Sequence, residues 1–283
     1  MIKKGTKGKK NRVKGIFGAY KKDRKYATIL RTKINSGSLS QALKQISTRI
    51  ESGSKFLVVT PNPEIVMLAR GDTVLSSILN SAEFSLPDGV GLIWASRWQA
   101  MWNSFAGPAG SFPITSRVSG VDIMEKLVEL ASKRGWKVFL LGGKDDVAEA
   151  ATKKLISKYP KLRVQFAPGP IMNLDGVPVN EAEVKKEQWV IARINEFMPH
   201  LLFVGLGFPK QEKWSARNKE KLKANGIMVV GGSFDFISGR VPRAPKFMRE
   251  VGLEWLFRLV IQPWRIKRQM ALPKFIWAVL TSK

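Results

Sequence analysis

The 283-residue chain has no cysteine and one histidine, His200, which excludes a disulfide framework and a Cys/His zinc site. A reducing compartment is compatible with that composition. No uninterrupted apolar run approaches the roughly 20 residues that cross a bilayer. The basic N-terminus is not followed by the apolar stretch of a secretory leader, so none is expected. Acids are scarce, 22 Asp and Glu against 48 Lys and Arg, for a formal net charge of +26. No Asp-x-Asp pair occurs that could hold a divalent ion between two phosphates, and no Gly-Lys-Ser/Thr loop of an NTPase is present. A diphosphate bound by this chain would have to be neutralised by arginine, lysine and backbone amides, without a metal or cofactor.

What the chain does have is enough apolar content, 44%, for a sizeable core, and a charge that sits mostly at its ends. Residues 1–25 carry eleven Lys/Arg against Asp23 alone, and residues 240–283 carry ten against Glu250 and Glu254. Basic ends on a milder middle suit a polyanionic surface, either anionic lipid or nucleic acid. Between them, short apolar runs such as Phe56–Thr60, Lys137–Leu141, Leu162–Phe166, Leu201–Val204 and Ile227–Val230 alternate with helical segments, and most run into a Gly-bearing turn. That alternation predicts an α/β fold: a Rossmann-like, mainly parallel sheet with helices on both faces. The expected organisation is a flexible basic arm over 1–32, an α/β core over 33–239 and a basic, apolar C-terminal appendage over 240–283. Helices are expected over Ser38–Ile50, from Asn62-Pro63 to Leu79, from a Ser119/Asp122 capping box to Lys133, and over 246–262. Residues Trp102–Thr115 read as a mobile flap.

Several strand-to-helix corners carry candidate chemistry. In Leu86-Pro87-Asp88-Gly89, Pro87 and Gly89 hold Asp88 at a sharp corner, where a carboxylate points into the crevice at the carboxyl ends of the strands. The same residue type also caps helices and makes Pro-Asp-Gly turns. Thr60 and Asn62 occupy a second corner, free to cap or to face a ligand. Gly142, Gly143, Gly205 and Gly207 offer backbone N–H groups to phosphates, or simply let turns pack tightly. The spacing Gly205-x-Gly207-x-x-Lys210 lacks the third glycine of a dinucleotide fingerprint. Arg117, Arg258, Arg265 and Arg268 are the cations available for a diphosphate, or solvated surface arginines. His200, following Pro199 just before a strand, reads as structural.

Eight motifs in order raise the specificity. They are Thr60-Pro61-Asn62; Pro87-Asp88-Gly89; Ser119-Gly120-Val121-Asp122; Gly205-x-Gly207-x-Pro209-Lys210-Gln211-Glu212; Gly232-x-Phe234-Asp235-x-x-x-Gly239; Arg243-Ala244-Pro245; Gly252-Leu253-Glu254-Trp255; and Arg258 with Pro263-x-Arg265-x-x-Arg268. Over about residues 33–270 the chain resembles the WecG/TagA/CpsF family of bacterial glycosyltransferases. The resemblance implies metal-independent, inverting transfer of a sugar, N-acetylmannosamine or a related hexose. The donor would be a UDP-sugar and the acceptor a polyprenyl-diphosphate-linked sugar, in the synthesis of a cell-surface polysaccharide or teichoic acid. It implies Asp88 as general base, with Thr60 and Asn62 at the acceptor or sugar. Arg117, Gln211 and the adjoining Glu212 would bind the donor, and Arg258, Arg265 and Arg268 the diphosphate. The enzyme would be cytoplasmic and peripheral on an anionic membrane surface, with room for a homo-oligomer. The tail Phe275–Leu280, too short to cross, would lie at the interface.

The rival reading is a basic nucleic-acid-binding α/β protein. It rests on the charge and the N-terminal arm alone, shows no recognition signature, and leaves the Pro-Asp-Gly and Pro-Lys-Gln-Glu corners unexplained.

Overall fold

Eight short strands and thirteen helices make up residues 26–106, 112–143 and 146–282, which the structure, a computed structural model, describes. Residues 1–25 of the expected arm over 1–32 lie outside these residues. Order begins earlier than expected. Tyr26–Ile29 (β1) and Thr32–Asn35 (β2) form an antiparallel hairpin. Leu30 and Arg31, both at positive φ (46° and 69°), make its two-residue turn, a conformation that matches strand twist even without glycine. The polar sequence around it hides the hairpin, whose signal reduces to Ala27, Ile29 and Ile34 buried on one side.

The main sheet has six parallel strands in the order β4-β3-β8-β7-β5-β6. These are Phe56–Val59 (β3), Phe84–Ser85 (β4), Lys137–Gly142 (β5), Arg163–Ala167 (β6), Leu201–Gly205 (β7) and Gly226–Val229 (β8). Their inner members are apolar almost throughout, Lys137 at the start of β5 excepted, because helices cover both faces. Phe56, Val58, Val138, Leu140, Leu201, Phe203 and Met228 face one core. Leu57, Val59, Phe139, Leu141, Leu202, Val204 and Ile227 face the other, the alternation a pleated strand imposes. Leu39–Glu51 (α1) and Gly120–Arg134 (α5) cover the first face with Val147–Lys158 (α6), while Glu181–Phe197 (α7) and Lys210–Asn218 (α8) help cover the second.

Two expected helices divide. The segment after Asn62 is Pro63–Ala69 (α2) and Thr73–Ser81 (α3), because Asp72 caps the second helix through Leu75 N–H (2.9 Å). In the appendage, Gly252 at φ 80° separates Lys246–Glu250 (α10) from Glu254–Ile261 (α11). Val90–Ala106 (α4) runs well into the expected flap. Past residues 107–111, which are not described, the segment is pinned: Ile114 N–H donates to Ser96 Oγ (2.9 Å) and Thr115 Oγ1 to Ser36 O (3.0 Å). His200 is structural, its Nδ1 accepting Lys137 N–H at 3.0 Å.

The chain ends in Ser233–Ser238 (α9), α10, α11, a 3₁₀ turn over Pro263–Arg265, Ile266–Gln269 (α12) and Ala271–Thr281 (α13). The tail does not merely lie on a surface. Phe275 and Val279 of α13 pack with Val66 and Leu92 in a third, smaller core beneath the hairpin, while Trp277, 71% exposed, faces outward. Among the described residues no helix is long and apolar enough to cross a membrane.

Gly226 marks where the sheet is tightest. A Cβ there would lie 2.3 Å from Cζ of Phe56, whose buried ring sits edge-to-face on Phe84. Gly226→Ala should therefore lower the unfolding free energy by about 1–3 kcal/mol, since overpacking of a locked ring outweighs the loss of glycine's flexibility. Urea unfolding measures this, and an unchanged midpoint would show that the ring yields freely.

Candidate active site

The carboxyl ends of the parallel strands share one edge, and the corner motifs gather there. Three backbone hydrogen bonds fix the Asp88 corner: Leu86 N–H to Val59 O (2.8 Å), Asp88 N–H to Pro61 O (2.9 Å) and Val118 N–H to Pro87 O (2.8 Å). They tie the exits of β3 and β4 to the start of α5. A Cβ on Gly120 would stand 3.5 Å from Thr60 Oγ1 and 3.9 Å from Asp88 Oδ2, so Thr60, Asp88 and the head of α5 adjoin. The expected capping box at that head is absent. Ser119 makes no side-chain cap, Gly120 N–H is donated to Asp88, and Asp122 pairs with Arg243 instead (2.7 Å). The free first-turn N–H groups of a helix attract a carboxylate, and here the carboxylate comes from the neighbouring corner.

Asp88 keeps some surface open toward the crevice, yet the protein around its carboxyl strips it of water, and this raises its pKa to about 6. Arg117 opposes the rise, Glu254 adds to it, Gly120 N–H opposes it and Asp122 adds to it. Arg117 is itself held by Glu254 at 3.0 Å, and Glu254 also receives Arg243 at 3.4 Å. Glu254 is one of two acids in the basic appendage, a sequence signal that could have singled it out.

The appendage brings its arginines to the same place. Arg258 lies over the end of β8. A Cβ on Gly232 would stand 2.7 Å from its Nη2, so glycine is required for that approach, and its guanidinium stacks on Phe236 at 4.8 Å. Burial lowers the pKa of Arg258, Asp235 counters this, Arg268 lowers it further, and Asp88 and Glu254 counter it. Arg265 is lowered to about 10 by burial and then by Arg258 and Arg268. Neither Arg258 nor Arg265 makes an ion pair among the described residues, and the buried Nε of Arg265 has no hydrogen-bond partner among them. Arg268 pairs with Glu64 through two contacts of 2.7 and 3.0 Å. Three neighbouring cations, two of them largely desolvated, form a concentrated anion-attracting patch whose Arg258 reaches the charge of Asp88.

Other expected site residues are placed differently. Asn62 caps α2, its Oδ1 accepting Ile65 N–H at 2.9 Å. Gly142, Gly143 and Gly207 stand across the sheet, at the ends of β5 and β7. The chain leaves those strands in opposite directions there, the kind of crevice where such sheets bind ligands. Gly142 packs on a turn, since a Cβ would meet Gly205 O at 2.7 Å, and Gly143 N–H donates to that oxygen at 2.9 Å; Gly207, at φ 81°, has open space beside it. Gln211 and Glu212 are buried, at 3% and 1% exposure, so neither presents its side chain to the crevice. Gln211 Oε1 accepts Gly231 N–H (3.1 Å) and its Nε2 donates to Glu212 Oε1 (3.0 Å), bracing the turn that Arg258 overlies. Burial raises the Glu212 pKa to about 7, and its Oε2 finds no partner among the described residues.

A half-buried carboxylate facing clustered arginines at the edge of a Rossmann-like sheet suits group transfer from a diphosphate, the chemistry of nucleotide-sugar glycosyltransferases. Comparison with known proteins narrows this. Residues 27–283 match the family described as the Glycosyl transferase WecG/TagA/CpsF family, and the chain belongs to that family of glycosyltransferases. It is 36% identical over 228 residues to the N-acetylglucosaminyldiphosphoundecaprenol N-acetyl-beta-D-mannosaminyltransferase of Bacillus subtilis (strain 168), covering 80% of each chain. It is 30% identical over 257 residues to the enzyme of the same name from Staphylococcus aureus (strain NCTC 8325 / PS 47), covering 90% of this chain and 92% of that one.

The ring of charges makes a two-sided pH prediction. If Asp88 works as a carboxylate, activity should fall as pH drops through about 6 and the group takes up a proton. Glu254→Gln removes a neighbour that favours protonation, so the acid limb of the kcat/KM profile should move to lower pH. Arg117→Gln removes a neighbour that favours ionisation, so it should move to higher pH. Shifts in the same direction, or none, would mean that another group sets the limb.

Proposed function

We propose that the chain transfers N-acetylmannosamine, or a closely related hexose, from a UDP-sugar to a polyprenyl-diphosphate-linked sugar, with inversion and without a metal ion. The product is an intermediate of a cell-surface polymer such as a teichoic acid. The observation that carries this reading is that Arg258, from a segment about 170 residues away in sequence, reaches the charge of Asp88 and holds Arg265 and Arg268 in one cluster with it. The names of the relatives, which specify an N-acetylmannosaminyl group and an N-acetylglucosaminyldiphosphoundecaprenol acceptor, support the substrate classes.

In this mechanism the acceptor hydroxyl approaches Asp88 from the Thr60 side. Asp88, with a pKa near 6, is mostly ionised at neutral pH and more basic than an ordinary carboxylate, so it can take the hydroxyl proton as the new glycosidic bond forms. Arg258 and Arg265 stabilise negative charge as it develops on the departing UDP, in a site where low water content strengthens the interaction. Gly207 and the neighbouring turn amides offer a cradle for the donor's phosphates across the sheet. The enzyme works at the cytoplasmic face of the membrane as a peripheral protein. Trp264 and Trp277, 70% and 71% exposed, suit headgroup depth, and the surrounding cations suit anionic lipid.

Incubating the purified chain with a panel of UDP-sugars and an N-acetylglucosaminyl lipid diphosphate tests the reading; transfer from no donor would sink it. Asp88→Asn keeps shape but removes basicity, and kcat should fall about 10²–10⁴-fold with little change in melting temperature. A near-wild-type rate would return Asp88 to the role of a turn residue.

Excess EDTA should leave turnover intact. Among the described residues no group of three or more His, Asp or Glu side chains is placed to hold an ion. Loss of activity on chelation, restored by Mg²⁺ or Mn²⁺, would overturn the metal-independent assignment.

A further inference from the structure

The helix that Asp88 introduces carries a second feature, which the proposed reaction does not use. Val90, Ile93, Trp94, Arg97, Trp98 and Met101 recur at helical spacing along one face of α4 and line a groove of about 510 Å³. Among the described residues the lining is almost wholly apolar, with Arg97 its single charge and no carboxylate. The Trp94 and Trp98 rings stack at 6.2 Å with an interplanar angle of 19°. Val90, Trp94 and Met101 remain 39%, 38% and 51% exposed, an apolar concentration that soluble surfaces rarely leave uncovered.

We propose that this groove holds the isoprene units nearest the diphosphate of a polyprenyl-linked acceptor. The inference rests on the reading that the acceptor is such a lipid, and it adds where the chain goes. Position is the first argument. The groove begins at Val90, two residues beyond Asp88, and its mouth abuts the appendage: a Cβ on Gly252 would lie 2.5 Å from Val90 Cγ1. The appendage arginines serve the departing UDP; the acceptor hydroxyl meets Asp88, two residues before Val90, so the lipid diphosphate next to it has its chain leaving close to Val90. Chemistry is the second. Flat aromatic and aliphatic walls suit a hydrocarbon that carries branching methyl groups and no polar atoms. Arg97 suits an anionic headgroup at the rim. Size is the third. A cavity of this volume is that of a small-molecule site, so it takes the first few units while the remainder of the chain stays in the bilayer.

Photolabelling of the full-length chain with a prenyl diphosphate bearing a benzophenone on its tail reads occupancy directly. The label should map to residues 90–101, and Trp94→Gln should reduce it about tenfold. In parallel, the kcat/KM preference of the wild type for a long isoprenoid acceptor over a short alkyl-tailed one should shrink about tenfold in Trp94→Gln and in Met101→Gln. Label confined to residues 246–281, an unaltered preference in both variants, or a wild-type oligomer that Trp94→Gln converts to monomer would each overturn the proposal, the last by showing that a second copy covers the face. If α4 is labelled but no UDP-sugar supports transfer, the groove stands as a prenyl site and the proposed reaction is what fails.

Discussion

The site depends on keeping one carboxylate charged where water is scarce. A carboxylate drawn from water into protein is destabilised unless hydrogen bonds and opposite charges compensate. At Asp88 the compensation is partial: Gly120 N–H and Arg117 favour the ion, while burial, Glu254 and Asp122 disfavour it. The result is a group poised near pH 6 rather than fully buried as an acid or fully solvated as an ordinary aspartate. Much of the surroundings follows from that balance. Residue 120 is glycine at a point where a side chain would crowd Thr60 and Asp88, and Ser119 leaves the helix head uncapped so that its N–H can turn to the carboxylate.

The appendage answers a related problem, the assembly of cations that repel one another. Arg268 lowers the proton affinity of Arg258, and both lower that of Arg265, so their proximity has to be supported by contacts elsewhere in the segment. Two anchors supply it. Ion pairs link Glu254 to Arg117, and Arg243 to both Asp122 and Glu254, at one end; Phe275 and Val279 bury themselves beside Val66 and Leu92 at the other. The same stretch also leaves Val260, Trp264 and Trp277 outward. One short run of sequence thus attaches itself to the core, supplies the arginines and presents an apolar surface. Its helices are short and broken by Gly252 and Pro263 because no single amphipathic helix could face all three ways.

The sheet was legible at the level of the chain because parallel strands covered on both faces are uniformly apolar, short and followed by glycine turns. Five of the six sheet strands stand within a residue or so of where those runs predicted them, and the sixth, Phe84–Ser85, lies in the apolar run that leads into the Asp88 corner. Asn62-Pro63 announced a helix start through side-chain capping, a local interaction that sequence order fully specifies. The corners bearing Thr60, Asp88 and Gly207 were equally local. Other features were not. The β1–β2 hairpin carries a left-handed Leu-Arg turn with no glycine to signal it, and only the packing of Ala27, Ile29 and Ile34 in the third core, with Leu92 and Ala95 of α4, explains its place.

What the amino-acid order determined by itself was the class of fold, the corner at which a carboxylate could stand, and the supply of cations at the C-terminus, since each depends on neighbours within a few residues. The tertiary structure decided which groups meet. It turned Asp122 from a cap into a partner of Arg243, took Gln211 and Glu212 out of the crevice into a buried brace, and gave Arg117 to Glu254. Charges act through space over several ångströms and burial depends on everything packed around a group, so the proton affinity of Asp88 and the approach of Arg117 and Arg258 to it exist only once distant segments have come together.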